Sequence, residues 1–253
     1  MPKDLSIRKV LLIGSGPIVI SQGCEFDYSG TQSCKALKEE GCEVILINPN
    51  PATIMTDPSL ADSTYIEPLV PEIIEKIIIK ERPDSILPTM GGQTALNCTL
   101  ELETAGVLAK YNIKLIGVSI DTIKKTEDRK LFNDILKNLK LDHAASVIVK
   151  DLAEVRSKAF NFAYPKLIRT SYSLGGTGSG LAYNEEELIK LCEQAFRYSP
   201  SEILIEESLM GWKEFELEVM ADAEGNFIVV CPIENFDPMG IHTGDSITIA
   251  PAQ

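Results

Sequence analysis

Six cysteines are spread through the 253 residues without one CxxC pair, so neither a zinc knuckle nor a dithiol redox motif can be built from near neighbours. The only histidines are His143 and His242, too few and too far apart to suggest a histidine-rich metal site. Long apolar runs are missing: Val10–Ile13 and Val44–Ile47 fall far short of the roughly 18 residues of a membrane span. The amino terminus, MPKDLSIRK, has charge but no apolar stretch of the kind a secretory leader needs. Basic charge is scarce, 24 Lys and Arg against 37 Asp and Glu, for a net charge of −13. Sequence-independent nucleic-acid affinity is built from many Lys and Arg contacts to phosphate, so this balance argues against a duplex-binding surface. It leaves room for one small anion held by a few local donors. Together these absences predict a cytosolic protein without nucleic-acid or membrane partners. Its cysteines, several among apolar neighbours as at Cys231, are expected to be reduced core thiols.

Both standard nucleotide fingerprints are also lacking. No GxxxxGK[ST] occurs, which excludes a P-loop. Gly14-Ser15-Gly16 follows an apolar run as a dinucleotide motif would, but Val19 stands where the third glycine belongs, and the second run ends in Asn48-Pro49-Asn50 with no acid for a ribose. The expectation is a tight strand-to-loop turn, with any nucleotide site elsewhere.

What is present is ordinary globular material, 44% hydrophobic and 24% charged, enough for one large or two small cores at roughly 100–200 residues per domain. The first 120 residues alternate strand-like runs (Val10–Ile13, Val44–Ile47, Ser85–Leu87, Leu115–Val118) with helical segments (Thr31–Glu40, Pro71–Lys80, Thr94–Ala105). Continuous apolar strands separated by helices predict a doubly wound parallel α/β domain. A charged helical stretch over residues 121–141 leads into a second unit. There Ala145–Val149, Lys166–Thr170, Ile203–Glu206, Glu214–Ala221 and Phe227–Ile233 read as strands, and Leu152–Phe162 and Glu185–Phe196 as helices. That mixture predicts an α+β unit with an antiparallel sheet. Phe215, Leu217 and Val219 alternate with Glu216 and Glu218, the period of a half-buried strand.

The most informative stretch runs from Pro165 to Gly180, PKLIRTSYSLGGTGSG. A strand carrying Arg169 enters a glycine-rich loop, where free backbone N–H groups can converge on phosphate oxygens and a guanidinium supplies a planar charged fork. A flexible surface hairpin would have the same glycine content; Arg169 tilts the reading toward phosphate. Glu206-Glu207-Ser208-Leu209 ends a further apolar run. A carboxylate there could accept from a ribose or an adenine amino group, with Leu209 against the base, whereas Glu216 and Glu218 read as a solvated acidic edge. The segment from Asn235 to Ser246, NFDPMGIHTGDS, fits a catalytic loop and an ordinary turn equally well.

Taken in order, VLLIGSGPIVISQGCEFDYSGTQSCKALKEEG, INPNPATIMTDP, LPTMGGQTALN, GGTGSGLA, ESLMGWKEFELEV and ENFDPMGIHTGDSITIAPAQ closely resemble the amino-terminal part of the large subunit of carbamoyl phosphate synthetase. The resemblance implies a pre-ATP-grasp domain over residues 1–127 and an ATP-grasp domain over 128–253, incomplete at its carboxyl end. It implies that this half phosphorylates bicarbonate with ATP to carboxyphosphate, which ammonia from a glutaminase subunit converts to carbamate. The remainder of the large subunit would spend a second ATP to complete carbamoyl phosphate, a precursor for arginine or pyrimidine synthesis. Carried over by position, Arg129 and Arg169 contact phosphate, Gly175 and Gly176 cover it, Glu207 and Leu209 lie near the base and Glu214 at the ribose. Gly240, Ile241 and His242 form the loop beside the transferred phosphate, with His242 the catalytic candidate.

Ser179 and Thr170 depart mildly from the family's usual glycine and proline. The family's Mg2+ or Mn2+ ligands are expected beyond Gln253, so none is assigned here and these residues alone are expected to be inactive or nearly so. The alternatives are another ATP-grasp ligase such as a biotin carboxylase, which the ENFDPMGIHTGDS and GPIVISQGCEFDYSG stretches disfavour, and a non-catalytic nucleotide-binding module.

Overall fold

The computed structural model describes residues 4–18, 23–159, 163–170, 178–222, 224–241 and 245–253, without the side chains of Cys24, Arg129 and Lys130. The chain divides into two compact units, Met1–Thr126 and Glu127–Gln253.

In the first unit, strands β1 (Lys9–Ile13), β2 (Glu43–Ile47), β3 (Ser63–Tyr65), β4 (Ser85–Leu87) and β5 (Lys114–Leu115) pair in the order β3-β2-β1-β4-β5. Every pairing is parallel. Helices α1 (Tyr28–Glu39), α2 (Pro71–Glu81), α3 (Gly92–Thr104) and the short α4 (Val107–Lys110) lie in the connections between strands, and α5 (Ile120–Glu127) follows the last of them. Alternation within the continuous apolar runs explains the double winding. Leu11, Ile13, Ile45 and Ile47 pack with Ile74, Ile77 and Ile78 of α2 and Ala95, Cys98 and Leu102 of α3. Leu12, Val44 and Leu46 pack the other way, with Cys34 of α1 and Met55. The runs Val10–Ile13 of β1 and Val44–Ile47 of β2 are therefore apolar at every position because both faces are covered. Pro71 opens α2 and Arg82, in the left-handed region at φ 53°, closes it, as expected of a proline start and a left-handed cap.

The Gly14–Gly16 turn is a packing device. Gly14 N–H donates to the Ile47 carbonyl (2.8 Å) and Gly16 N–H to Asn48 Oδ1 (2.9 Å). The Asn48 amide in turn donates to Thr53 Oγ1 and Met55 Sδ, so the side chain standing where a ribose acceptor would be is consumed internally. Gly91 lies against the turn, where a Cβ would come 2.4 Å from the Gly14 carbonyl oxygen and 2.5 Å from that of Ile13; no larger residue fits without moving backbone. Asp27, 8% exposed, bridges to the next segment, its two oxygens accepting from the N–H groups of Ile54 and Met55, both at 2.8 Å.

In the second unit, α6 (Arg129–Leu139) is followed by β6 (Ser146–Val149), α7 (Leu152–Lys158), β7 (Lys166–Thr170), β8 (Gly180–Ala182), α8 (Glu185–Tyr198) and β9 (Ile203–Glu207). The strands form an antiparallel sheet of order β6-β9-β7-β8. One face carries the core, Val149, Ile168, Ala182, Ile203 and Ile205 against Val155 of α7 and Leu188, Cys192 and Ala195 of α8. The starts of α7 and α8 are capped reciprocally. Asp151 and Asn184 accept from the N–H of Glu154 and Glu187, and those glutamates accept from the residue before each cap. Lys166 is fully buried on the core face, its Nζ 3.9 Å from the Tyr164 ring centroid; burial draws this ammonium below the usual lysine range against the opposing charge of Glu185. A second antiparallel sheet, order β10-β11-β12, contains β10 (Glu214–Ala221), β11 (Phe227–Asn235) and β12 (Thr248–Ile249).

Several expectations shift. α1 starts at Tyr28, after a π-helical turn over Gly23–Asp27. β5 holds two residues rather than the four of Leu115–Val118 because Gly117, at φ 83°, turns the chain away. The helix expected over Leu152–Phe162 spans Leu152–Lys158, with residues 160–162 outside the described ones. β3, α4, β8 and β12 were not foreseen: each is four residues or fewer, too short to show a period. The largest correction concerns β10. Phe215 and Leu217, expected on a covered face, are 53% and 62% exposed, because none of the apolar clusters among the described residues includes this sheet. Cys34, Cys42, Cys98 and Cys192 are buried free thiols, as expected, whereas Cys231 is half-exposed. Among the described residues no helix is long and apolar enough to cross a membrane.

Candidate nucleotide and phosphate site

Strand parity sorts the candidate residues. In β7, Lys166, Ile168 and Thr170 are buried, while Leu167 and Arg169 on the alternate face are only partly covered. Across the strand pair Leu167 stands opposite Glu206 and Arg169 opposite Leu204, so Arg169 and Glu206 share the open face as diagonal neighbours. Their side chains meet, Arg169 Nε lying 2.8 Å from Glu206 Oε2, with the Arg169 side chain 43% exposed. This is an ion pair without hydrogen-bond alignment at Nε. A guanidinium fixed at one nitrogen, partly open to solvent, at the end of the strand leading into the glycine-rich stretch is a suitable phosphate donor. The sequence showed Glu206 only as one of two strand-end carboxylates; its partnership with Arg169 depends on the register of two strands far apart in sequence.

Glu207 follows the opposite parity. Its Oε1 accepts from Ala145 N–H (2.8 Å) while its own N–H donates to the Ala145 carbonyl (2.9 Å). The side chain thus fastens the entry to β6 to the end of β9, and is not brought to Arg169. Leu209 begins a tight turn in which Trp212 N–H donates to the Leu209 carbonyl (3.1 Å). Glu214, half-buried at the start of β10, pairs in register with Asn235. Asn235 is 3% exposed and donates to Glu216 Oε1, so Glu216, expected as part of a purely solvated edge, has a partner. Beside it Glu234, 6% exposed, accepts from Gln253 N–H and Lys213 Nζ, both at 3.2 Å, and these bonds hold its carboxyl below the usual range.

The loop after β11 is closed at its neck. Phe236 N–H donates to the Ile247 carbonyl (2.8 Å), Ile247 N–H to Asp237 Oδ2 (3.0 Å) and Asp237 N–H to Ser246 Oγ (3.2 Å). At its tip Gly240 and Ile241 are exposed, Gly240 at φ 115°, a conformation that favours glycine. The structure brings this tip to the Leu209 turn: Met239 N–H donates to the Trp212 carbonyl (2.8 Å), and Gly211 N–H donates to the Met239 carbonyl (3.1 Å). The candidates Gly175, Gly176 and His242 lie outside the described residues, and Arg129 is described only as the first residue of α6. Among the described residues no group of three or more His, Cys, Asp or Glu side chains could hold a metal ion.

Comparison with known proteins gives a consistent result along the chain. Residues 6–125 match the model of the carbamoyl phosphate synthase preATP-grasp domain, and residues 128–253 that of the carbamoyl-phosphate synthase L chain ATP binding domain. The carbamoyl phosphate synthase large chain of Buchnera aphidicola is 59% identical over 254 residues, covering 100% of this chain and 24% of the relative. That of Neisseria meningitidis serogroup A is 57% identical with the same coverage. The chain therefore spans about a quarter of the length of these curated relatives. Among solved structures, the biotin carboxylase domain of Hydrogenobacter thermophilus 2-oxoglutarate carboxylase, in complex with MgADP, ADP and bicarbonate, aligns at TM-score 0.69 and 22% identity over 90% of this chain and 50% of its own. N5-carboxyaminoimidazole synthetase from Staphylococcus aureus, complexed with ADP, aligns at TM-score 0.69 and 18% identity over 97% of this chain and 58% of its own. At such identities these two establish a shared fold.

Proposed function

The chain belongs to the carbamoyl phosphate synthase large-chain family, and on that premise we propose that it supplies part of the site where ATP phosphorylates bicarbonate to carboxyphosphate, which ammonia then converts to carbamate. Residues 1–127 serve as the pre-ATP-grasp domain and residues 128–253 as part of the ATP-grasp domain. The observation that carries the reading is Arg169: a guanidinium at the open-face end of β7, held by Glu206 at Nε at the entrance to a glycine-rich stretch.

In this reading Arg169, together with Arg129, binds phosphate oxygens, and the backbone of Gly175 and Gly176 covers them. Leu209 packs on the base. Glu207, whose side chain is engaged with Ala145, serves the base end by fixing the strand end from which the Leu209 turn departs. Glu214 reaches the ribose, and Gly240, Ile241 and His242 face the transferred phosphate, with His242 stabilising the charge that develops there. ATP supplies the phosphoryl group, and Mg2+ or Mn2+, held by residues beyond Gln253, neutralises its charge. Phosphoryl transfer asks for positioning and charge stabilisation more than covalent work, which suits a site of arginines, backbone donors and one histidine. Bicarbonate, glutaminase-derived ammonia, a glutaminase subunit and the remaining large chain are the proposed partners, in the cytoplasm.

The test is bicarbonate-dependent ATP hydrolysis by the complete synthetase carrying this sequence. Arg169→Ala should lower it by at least a hundredfold, the scale of removing one donor to a developing charge. Hydrolysis that ignores bicarbonate, or that survives the substitution, would refute the assignment. For the 253 residues alone, thermal stabilisation by ATP is expected without appreciable turnover.

A further inference from the structure

Two segments separated in sequence are fastened together by the main chain of one residue. The turn from Leu209 to Trp212 closes through Trp212 N–H to the Leu209 carbonyl, and Met239 meets it with both its backbone groups, accepting from Gly211 N–H (3.1 Å) and donating to the Trp212 carbonyl (2.8 Å). A third contact reinforces the pair: a Cβ on Gly240 would lie 3.6 Å from Met210 Cγ, so the next residue of the loop packs on the same turn. At its other end the loop is clamped by Asp237, Ser246 and Ile247. Gly240 and Ile241 therefore follow directly on a fixed hook.

We propose that Met239 is a positioning residue: its main chain hangs Gly240 and Ile241 from the Leu209 turn, so that a ligand's base end sets the place of residues facing its phosphate end. The inference rests on the reading above, in which Leu209 meets the base and Gly240–His242 the transferred phosphate. Its physical content is that two reciprocal backbone hydrogen bonds join the segments, so ordering one orders the other. The Met239 side chain takes no part in either bond, so substitutions that keep the N–H are silent.

Amide hydrogen exchange on the 253-residue protein tests this, with AMP and ATP as probes. AMP has the base and ribose but only one phosphate. With the unmutated chain, AMP should slow exchange in residues 209–212 and in residues 237–241 together, by about fivefold, the change equivalent to one net hydrogen bond of about 1 kcal/mol. Met239→Ala should behave identically. Met239→Pro, which deletes the N–H that donates to Trp212, should leave protection at 209–212 and lose it at 237–241. Should the proline variant fold poorly, the AMP experiment on the unmutated chain decides alone. Protection confined to 209–212 in the unmutated chain, or protection of both segments in the proline variant, overturns the inference. Protection of 237–241 by ATP but not AMP also overturns it, because the loop would then be following phosphate directly, and leaves the nucleotide site standing. Absence of protection by ATP anywhere overturns the site and the inference together.

Discussion

Replacing Asp27 with alanine should be among the most damaging single changes in the first unit, although Asp27 touches no proposed ligand. Its carboxylate spans two consecutive backbone donors, Ile54 and Met55, at 2.8 Å each, in a position only 8% exposed. A hydrogen bond to a charged acceptor contributes about 1.5–3 kcal/mol net. Losing both, with the two N–H groups left in a largely dry place, comes to about 3–6 kcal/mol. Domain stabilities are about 5–15 kcal/mol, so Asp27→Ala should bring the unit near its unfolding threshold. Asp27→Asn keeps one acceptor oxygen and presents an NH2 to the second donor, and should cost about half as much. Urea unfolding followed by far-ultraviolet circular dichroism reads the shift, which should appear as a lower midpoint at unchanged slope. Trp212, the sole tryptophan, lies in the second unit, so its emission follows that unit separately. A loss under about 1 kcal/mol for the alanine variant, or equal losses for alanine and asparagine, would show that the two bonds do not hold Ile54–Thr56 in the way argued.

Two further outcomes follow from the packing. Burial pushes the thiol of Cys34 up to about 11 and those of Cys98 and Cys192 up to about 12, and the thiolate is the reactive form; in a Cys24→Ser background, a disulfide reagent at pH 8 should label Cys231 alone until denaturant is added, and prompt labelling of Cys34, Cys98 or Cys192 would contradict the described core. Glu81 accepts from the Tyr65 hydroxyl and pairs with Lys9 Nζ at 3.1 Å, which hold its carboxyl below the usual range. Its folded-state pKa is below its unfolded one, so its contribution is full above about pH 4.3, the unperturbed glutamate value, and is lost as pH falls through the folded value. Urea midpoints measured from pH 7 down to pH 3 should therefore decline less steeply in Glu81→Gln than in the unmutated chain, and parallel curves would count against the pairing.

What could be read in advance divides by the kind of signal involved. β1 and β2 were plain because four consecutive apolar residues in each serve two covered faces at once. β3, Ser63–Tyr65, has no apolar run and joins the sheet only through the register of Ile45–Ile47. Arg169 announced itself by the glycines after it, but the partnership with Glu206 and the diversion of Glu207 to Ala145 depend on which way each side chain points. That is fixed by strand parity relative to the sheet, which a string of carboxylates does not reveal. Met239 was invisible for a different reason: it acts through its backbone, and any residue but proline would present the same two groups.

The alternation along β7 has a consequence for how this sequence can vary. Ile168 faces the core and Arg169 the open side, and the two are adjacent. Exchanging one residue for another in this strand is a local event, absorbed or not by its immediate neighbours. Gaining or losing a single residue between Lys166 and Arg169 is different, because it would send the guanidinium into the layer packed on α8 and expose an isoleucine in its place. Length changes in homologous or engineered versions should therefore be confined to the connections around β7, and the five-residue strand should keep its count while its spelling drifts.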